Sequence, residues 1–162
     1  MTHDAYPDLL LRRILRSVNV IATVGASANW VRPSHFAMKY LQAKGFRVIP
    51  VNPTQAGAKI LGERVYASLP DIPEPVDMVQ VFRRGEEVGP IARDAIAIGA
   101  KVLWTQLGIR NDEAARLAET AGLTVIMNRC PKIEYGRLSG ELGWSGINTG
   151  VISSKRRQVG KR

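Results

Sequence analysis

Five short runs of apolar, largely β-branched residues recur along the chain, with longer stretches of helical spacing between them. The runs are Asn19–Val24, Arg47–Val51, Met78–Phe82, Val102–Thr105 and Thr124–Met127. Within each, apolar character is nearly continuous rather than alternating. A strand with one wet face alternates, whereas a strand covered on both faces does not. The pattern therefore predicts an α/β three-layer sandwich: a mostly parallel sheet of five strands or slightly more, with helices on both faces.

The helical stretches have legible ends. Asp8 to Ser17 reads as an amphipathic lead-in helix with Leu11, Ile14 and Leu15 inward. Ser34 is placed to cap a helix whose buried face is Phe36, Ala37, Tyr40 and Leu41, with Gly45 as its stop. Val88, Ile91, Ala92 and Ala95 repeat at helical spacing before Gly99. Asn111 caps a further helix, where Asp112 and Glu113 in the first turn suit the dipole and Gly122 ends it. At 162 residues and 45% hydrophobic, the chain suffices for one domain of ordinary size. The expected division is a lead-in helix over 1–17, the domain over 18–150, and a basic, disordered tail over 151–162. The three tryptophans, Trp30, Trp104 and Trp144, read as packing residues.

A formal charge of +9 raises the question of a polyanionic partner. Ser153–Arg162 holds five basic residues and no acidic one, so the remainder is only mildly positive, at +4. A terminal run of this kind is ordinarily a solvated segment. Nucleic acid is accordingly an alternative partner and not the leading one. No stretch approaches the roughly 20 apolar residues a membrane span requires, and Arg12-Arg13 lacks the following apolar run of a twin-arginine signal. A cytoplasmic protein is expected. One cysteine excludes a disulfide framework, and two histidines, His3 and His35, make a histidine-rich metal centre improbable.

In an open parallel sheet, ligands bind beyond the carboxyl ends of the strands, where the strand order reverses. The five strand-to-helix junctions here are Gly25–Ser27, Asn52–Pro53, Phe82–Arg84, Gln106–Gly108 and Asn128–Glu134, and all five are expected to converge on one crevice. Gly25-Ala26-Ser27-Ala28-Asn29 stands where a dinucleotide fold cradles a pyrophosphate with backbone N–H groups. Arg32 and Ser34 are close enough to supplement it. The nicotinamide fingerprint is broken, however. Ser27 and Trp30 replace its second and third glycines, and Asn52-Pro53 stands where a ribose-binding acid belongs. A nucleotide-dependent enzyme of the nicotinamide type is thus a second alternative.

Thr23-Val24-Gly25-Ala26-Ser27, Arg32-Pro33-Ser34 and Val48-Ile49-Pro50-Val51-Asn52-Pro53 together resemble the CoA-binding domain family. Later segments agree: Val81-Phe82-Arg83-Arg84, Lys101-Val102-Leu103-Trp104-Thr105-Gln106-Leu107-Gly108 and Asn128-Arg129-Cys130-Pro131-Lys132-Ile133-Glu134-Tyr135. The resemblance runs from about residue 18 to about residue 138. It implies a Rossmann-like domain, related to part of the succinyl-CoA synthetase alpha subunit, that binds coenzyme A or acyl-CoA noncovalently. Carried onto these positions, Gly25, Ala26 and Ser27 would hold the diphosphate. Asn52 and Pro53 would border the adenosine end, with Val51 beneath. Phe82 and Arg83 would form the next wall, Arg83 serving phosphate. Gln106, Asn128 and Cys130 would lie nearer the pantetheine or in a neighbouring pocket. The Cys130 thiol would either be a buried structural group or form a mixed disulfide with CoA. Glu134 would help to order its loop. The synthetase relatives work through a phosphohistidine in a second domain, and neither His3 nor His35 stands in a matching place, so no catalysis is expected. Beyond the ligand, a second copy of the chain or a protein recipient are the partners left open.

Overall fold

The computed structural model describes residues 2–140. The basic tail, the 150/151 boundary and Trp144 lie outside the described residues.

The chain opens with helix α1 (Asp8–Ser17), then strand β1 (Val20–Val24), α2 (Pro33–Ala43) and β2 (Arg47–Val51). A crossover without an α-helix follows. It contains two short 3-10 turns, Pro53–Gln55 and Leu69–Asp71, and a minimal antiparallel pair, β3 (Lys59–Ile60) with β4 (Glu63–Arg64). Arg47 ties this segment down through ion pairs to Glu63 and Glu74. Then come β5 (Met78–Val81), α3 (Val88–Ala97), β6 (Val102–Thr105), α4 (Asp112–Thr120), β7 (Thr124–Ile126) and α5 (Pro131–Ser139).

The five long strands form one sheet in the order β2-β1-β5-β6-β7, every neighbour parallel. Successive side chains point to opposite faces, and the core divides accordingly. Ile21, Val48, Met78, Trp104 and Ile126 meet the buried sides of α1, α2 and α5. Ala22, Ile49, Val79, Leu103 and Val125 meet α3 and α4. Helices thus cover both faces, as the continuous apolar strands require. Among the described residues, no helix is long and apolar enough to cross a membrane.

Two sequence expectations for α2 are corrected. Ser34 is not the cap: Arg32 occupies that position, Pro33 starts the helix, and Ser34 is buried inside the first turn. Phe36 points outward, 51% exposed, and Met38 takes the inward place beside Ala37 and Leu41. Asn111 does cap α4, accepting from Ala114 N–H at 2.9 Å. Trp30, expected to pack, is instead 70% exposed.

The residues before α1 clasp the far edge of the sheet. The Tyr6 hydroxyl accepts from Met127 N–H at 2.8 Å, His3 faces Glu119 at 3.2 Å, and Asp4 pairs with Arg110 at 3.0 Å. Burial raises the Tyr6 pKa above its ordinary 10.0, because a phenolate is poorly accommodated there. The sign follows from linkage. The unfolded chain releases this proton first, so the contribution to stability is complete below pH 10 and is lost as pH rises through the raised value. Tyr6→Phe should therefore lose stability less steeply than the parent above pH 10 in urea denaturation. Parallel pH profiles for the two proteins would overturn this.

Candidate functional site

The order β2-β1-β5 reverses the direction of strand addition at β1, which sits between its successor and the third long strand of the chain. Chain segments leaving β1 and β5 turn away to opposite faces, and a crevice opens beyond their carboxyl ends. A cavity of about 670 Å³ lies there. Its wall comes from four junctions: Gly25, Ala26 and Ser27 with Arg32, Pro33 and Ser34; Asn52 and Gln55; Phe82 and Arg83; and Gln106, Leu107 and Ile109.

The first loop is held from below. Gly25 and Ala26 N–H both donate to the Val51 carbonyl, at 3.0 and 3.3 Å, and Phe82 N–H donates to the Val24 carbonyl at 2.8 Å. Gly25 has φ +90°, and a β-carbon there would stand 2.7 Å from the Phe82 carbonyl oxygen and 2.9 Å from Arg83 Cδ. Only glycine fits this approach. Beyond it the Ser27 hydroxyl accepts from Asn29 N–H at 3.0 Å. The N–H groups of Ser27, Ala28 and Ser34 find no protein acceptor among the described residues. Helix α2 begins at this loop with no side-chain cap and no acid in its first turn, so the positive end of its dipole meets the cavity uncompensated.

Charge in the wall has one sign. Among the described residues, Arg32 and Arg83 line it and no carboxylate does. Arg83 bonds Glu87, which stands behind the wall, through Nε at 2.9 Å and Nη2 at 2.8 Å. Opposite the polar loop, Phe82, Leu107 and Ile109 supply apolar surface. Gln106 Oε1 is buried with no protein donor among the described residues, an acceptor left open for a ligand N–H.

Nine of the thirteen residues expected from the sequence meet at this cavity: Gly25, Ala26, Ser27, Arg32, Ser34, Asn52, Phe82, Arg83 and Gln106. The other four, Val51, Pro53, Asn128 and Cys130, do not line it. Val51 is buried beneath the first loop as its floor, and Pro53 starts the 3-10 turn beside it. Asn128 has φ +60° and accepts from Gly108 N–H at 2.7 Å, bracing the fourth junction from behind. Cys130 is 7% exposed at the start of α5. The fifth junction thus stays out of the crevice that all five were expected to share. Its strand, β7, is the edge farthest from the reversal.

Asn52 borders the cavity, but its amide is already engaged. Nδ2 donates to the Ala26 carbonyl at 2.8 Å, and Oδ1 accepts from Thr54 N–H and its hydroxyl. It shapes the first loop and offers little to a ligand directly. Gln55 and Ile109 were not singled out from the sequence, and Pro33 and Leu107 stood within the quoted segments without being named as ligand residues. The signal available was their place on the same strand-to-helix junctions as residues that were.

Comparison with known proteins agrees with this reading of the fold. A protein from Bacillus subtilis (strain 168), the uncharacterized protein YneT, is 39% identical over 125 residues, covering 77% of this chain and 91% of its own. The crystal structure of Prb, the PH1109 protein redesigned for binding, superposes with a TM-score of 0.82 at 38% identity, over 86% of this chain and 96% of that one. The apo dinucleotide forming acetyl-coenzyme A synthetase 1 of Ca. Korarchaeum cryptofilum has a TM-score of 0.60 at 23% identity. It matches 71% of this chain and only 27% of its own, and shares the fold alone. The profile of the CoA binding domain matches residues 19–136, from the start of β1 to within α5. With the reversal of strand order, the glycine loop and this match in agreement, the chain belongs to the CoA-binding domain family.

Proposed function

We propose that the chain binds coenzyme A, free or acylated, in the cavity at the ends of β1, β2, β5 and β6, and that it stores, senses or delivers this ligand in the cytoplasm without chemistry of its own. The observation that carries the reading is the composition of the wall among the described residues: the unpaired backbone N–H groups of Ser27 and Ser34, an uncapped helix start and two arginines, with no carboxylate. CoA carries a diphosphate and a 3′-phosphate, and oriented N–H donors with guanidinium groups are the partners such anions require. In this reading the loop Gly25–Ser27 takes the diphosphate, with Ser27 N–H as its open donor and Gly25 and Ala26 giving close approach while bonded to Val51, and Arg32 or Arg83 takes a further phosphate. Gln106 Oε1 accepts a ligand N–H. Phe82, Leu107 and Ile109 contact the less polar arm.

Three placements favour binding over catalysis. His3 lies in the clasp by α4, His35 is outside the cavity lining, and Cys130 is buried at another junction. The described imidazoles and the thiol therefore stand away from the cavity, so its Ser27 and Ser34 hydroxyls have no histidine base beside them in the lining.

Calorimetric titration with CoA, NAD and ATP tests the reading, repeated on Ser27→Trp. CoA should bind in preference to the other two, and the bulky indole in the phosphate loop should weaken it at least about tenfold, roughly 1.4 kcal/mol. Equal binding of all three ligands, or binding of none, would overturn it.

A further inference from the structure

The cavity wall excludes carboxylates, yet one stands immediately behind its arginine. Arg83 crosses Gly25, its Cδ 2.9 Å from where a β-carbon on that glycine would be. Beyond that point the guanidinium turns to Glu87, giving both Nε–H and Nη2–H to Oε1. The second carboxylate oxygen, Oε2, accepts from Arg84 Nε at 3.2 Å. One carboxylate thus receives three arginine N–H groups. These contacts, that with Arg83 foremost, hold the Glu87 carboxyl below the usual carboxylate range, so it is charged at neutral pH.

The position of Glu87 is fixed by its turn. Glu87 N–H donates to the Arg84 carbonyl at 2.8 Å, and Asn111 Nδ2 donates to the Gly85 carbonyl at 2.9 Å. A β-carbon on Gly85 would stand 2.7 Å from the Arg110 carbonyl oxygen, so the turn is pressed against the segment just before α4. The carboxylate is delivered beside Arg83 by backbone geometry rather than by chance rotamers.

We propose that Glu87 is an internal competitor for the ligand: it occupies Arg83 in the empty site, and a polyphosphate must take the arginine from it to bind. The proposal rests on the reading that the cavity holds a phosphorylated ligand, and it specifies how that binding is regulated. An ion pair between partly exposed side chains contributes little, whereas phosphate forms stronger charge-assisted pairs with a guanidinium. Exchange therefore runs toward the ligand, but at reduced affinity. A store or carrier that must release its cargo benefits from such a setting. If Glu87 instead oriented Arg83 for the phosphate, removing it would weaken binding, so the sign of the effect separates competition from positioning.

The test is titration of the full chain and of Glu87→Gln with CoA and, separately, with inorganic pyrophosphate. Glu87→Gln should bind both about three- to tenfold more tightly. In an Arg83→Ala background the same substitution should change affinity by less than about twofold. Unchanged or weaker binding by Glu87→Gln overturns the proposal. So does an equal gain with Arg83 absent, which would reduce the effect to net charge. If the parent binds pyrophosphate but not CoA, the CoA reading fails while the pyrophosphate series still judges the competitor. Binding of neither probe overturns both.

Discussion

Gly25→Ala is expected to destabilise the domain by about 2–4 kcal/mol and to weaken CoA binding at least about tenfold. Two costs add. With φ +90°, the residue lies where a side chain is strained, about 1–2 kcal/mol for the left-handed region. The second is steric, since the β-carbon would meet the Phe82 carbonyl oxygen at 2.7 Å. That oxygen belongs to backbone and cannot rotate away, because Phe82 N–H is bonded to the Val24 carbonyl in the adjoining strand. The loop must lift, and the unpaired Ser27 N–H in the cavity wall is displaced with it. Gly57→Ala is the control: φ is +91° there and no atom lies within 4 Å of the added carbon. It should cost only the conformational part, about 1–2 kcal/mol, and leave binding intact. Urea denaturation and CoA titration of both variants decide the matter. Equal costs at the two glycines would show that the close approach at Gly25 imposes nothing.

Trp104→Ala should have the largest effect on stability, about 3–5 kcal/mol. The side chain is fully buried in the middle of β6, on the face covered by α1, α2 and α5. Its removal leaves a cavity that neighbouring strands cannot close, because β5 and β7 hold β6 in register on both sides. The indole also donates from Nε1 to the Arg129 carbonyl at 3.0 Å, anchoring the approach to α5. Trp104→Phe separates these contributions. It keeps most of the volume and loses the hydrogen bond, for about 1–2 kcal/mol. Trp104 does not line the cavity, so the CoA affinity of folded protein should not change in either variant. Denaturation midpoints measure the first expectation and titration the second. A loss below about 1 kcal/mol for Trp104→Ala would mean that the site collapses freely.

The sheet was readable because burial on both faces writes itself as uninterrupted apolar residues, and each observed strand falls within a residue of its expected ends. Helix α2 was harder for a physical reason. Phe36, Ala37, Met38, Tyr40 and Leu41 are all apolar, so the helical stripe could be drawn in two registers. The inward one runs through Ser34, a polar residue that hid it. The β3–β4 pair has two residues per strand and no periodicity to detect. At the site, position after a strand located the cavity residues well. It could not reveal that the Asn52 amide is consumed by its own neighbours, that Arg83 is shared with Glu87, or that β7 ends too far from the reversal to contribute. Those facts depend on side-chain direction and strand order, which local patterns do not contain.

The clasp and the packing of α1 on α5 join the two ends of the described chain. Leu11, Ile14 and Leu15 share one cluster with Tyr135 and Leu138, and Tyr6 is bonded to Met127, 121 residues away. During synthesis the first helix therefore emerges long before its partner exists, and contacts of such separation form late. Until the segment from β7 through α5 has left the ribosome, the apolar side of α1 has no permanent cover. The parallel sheet cannot ripen strand by strand into a finished core; its closing step waits for α5.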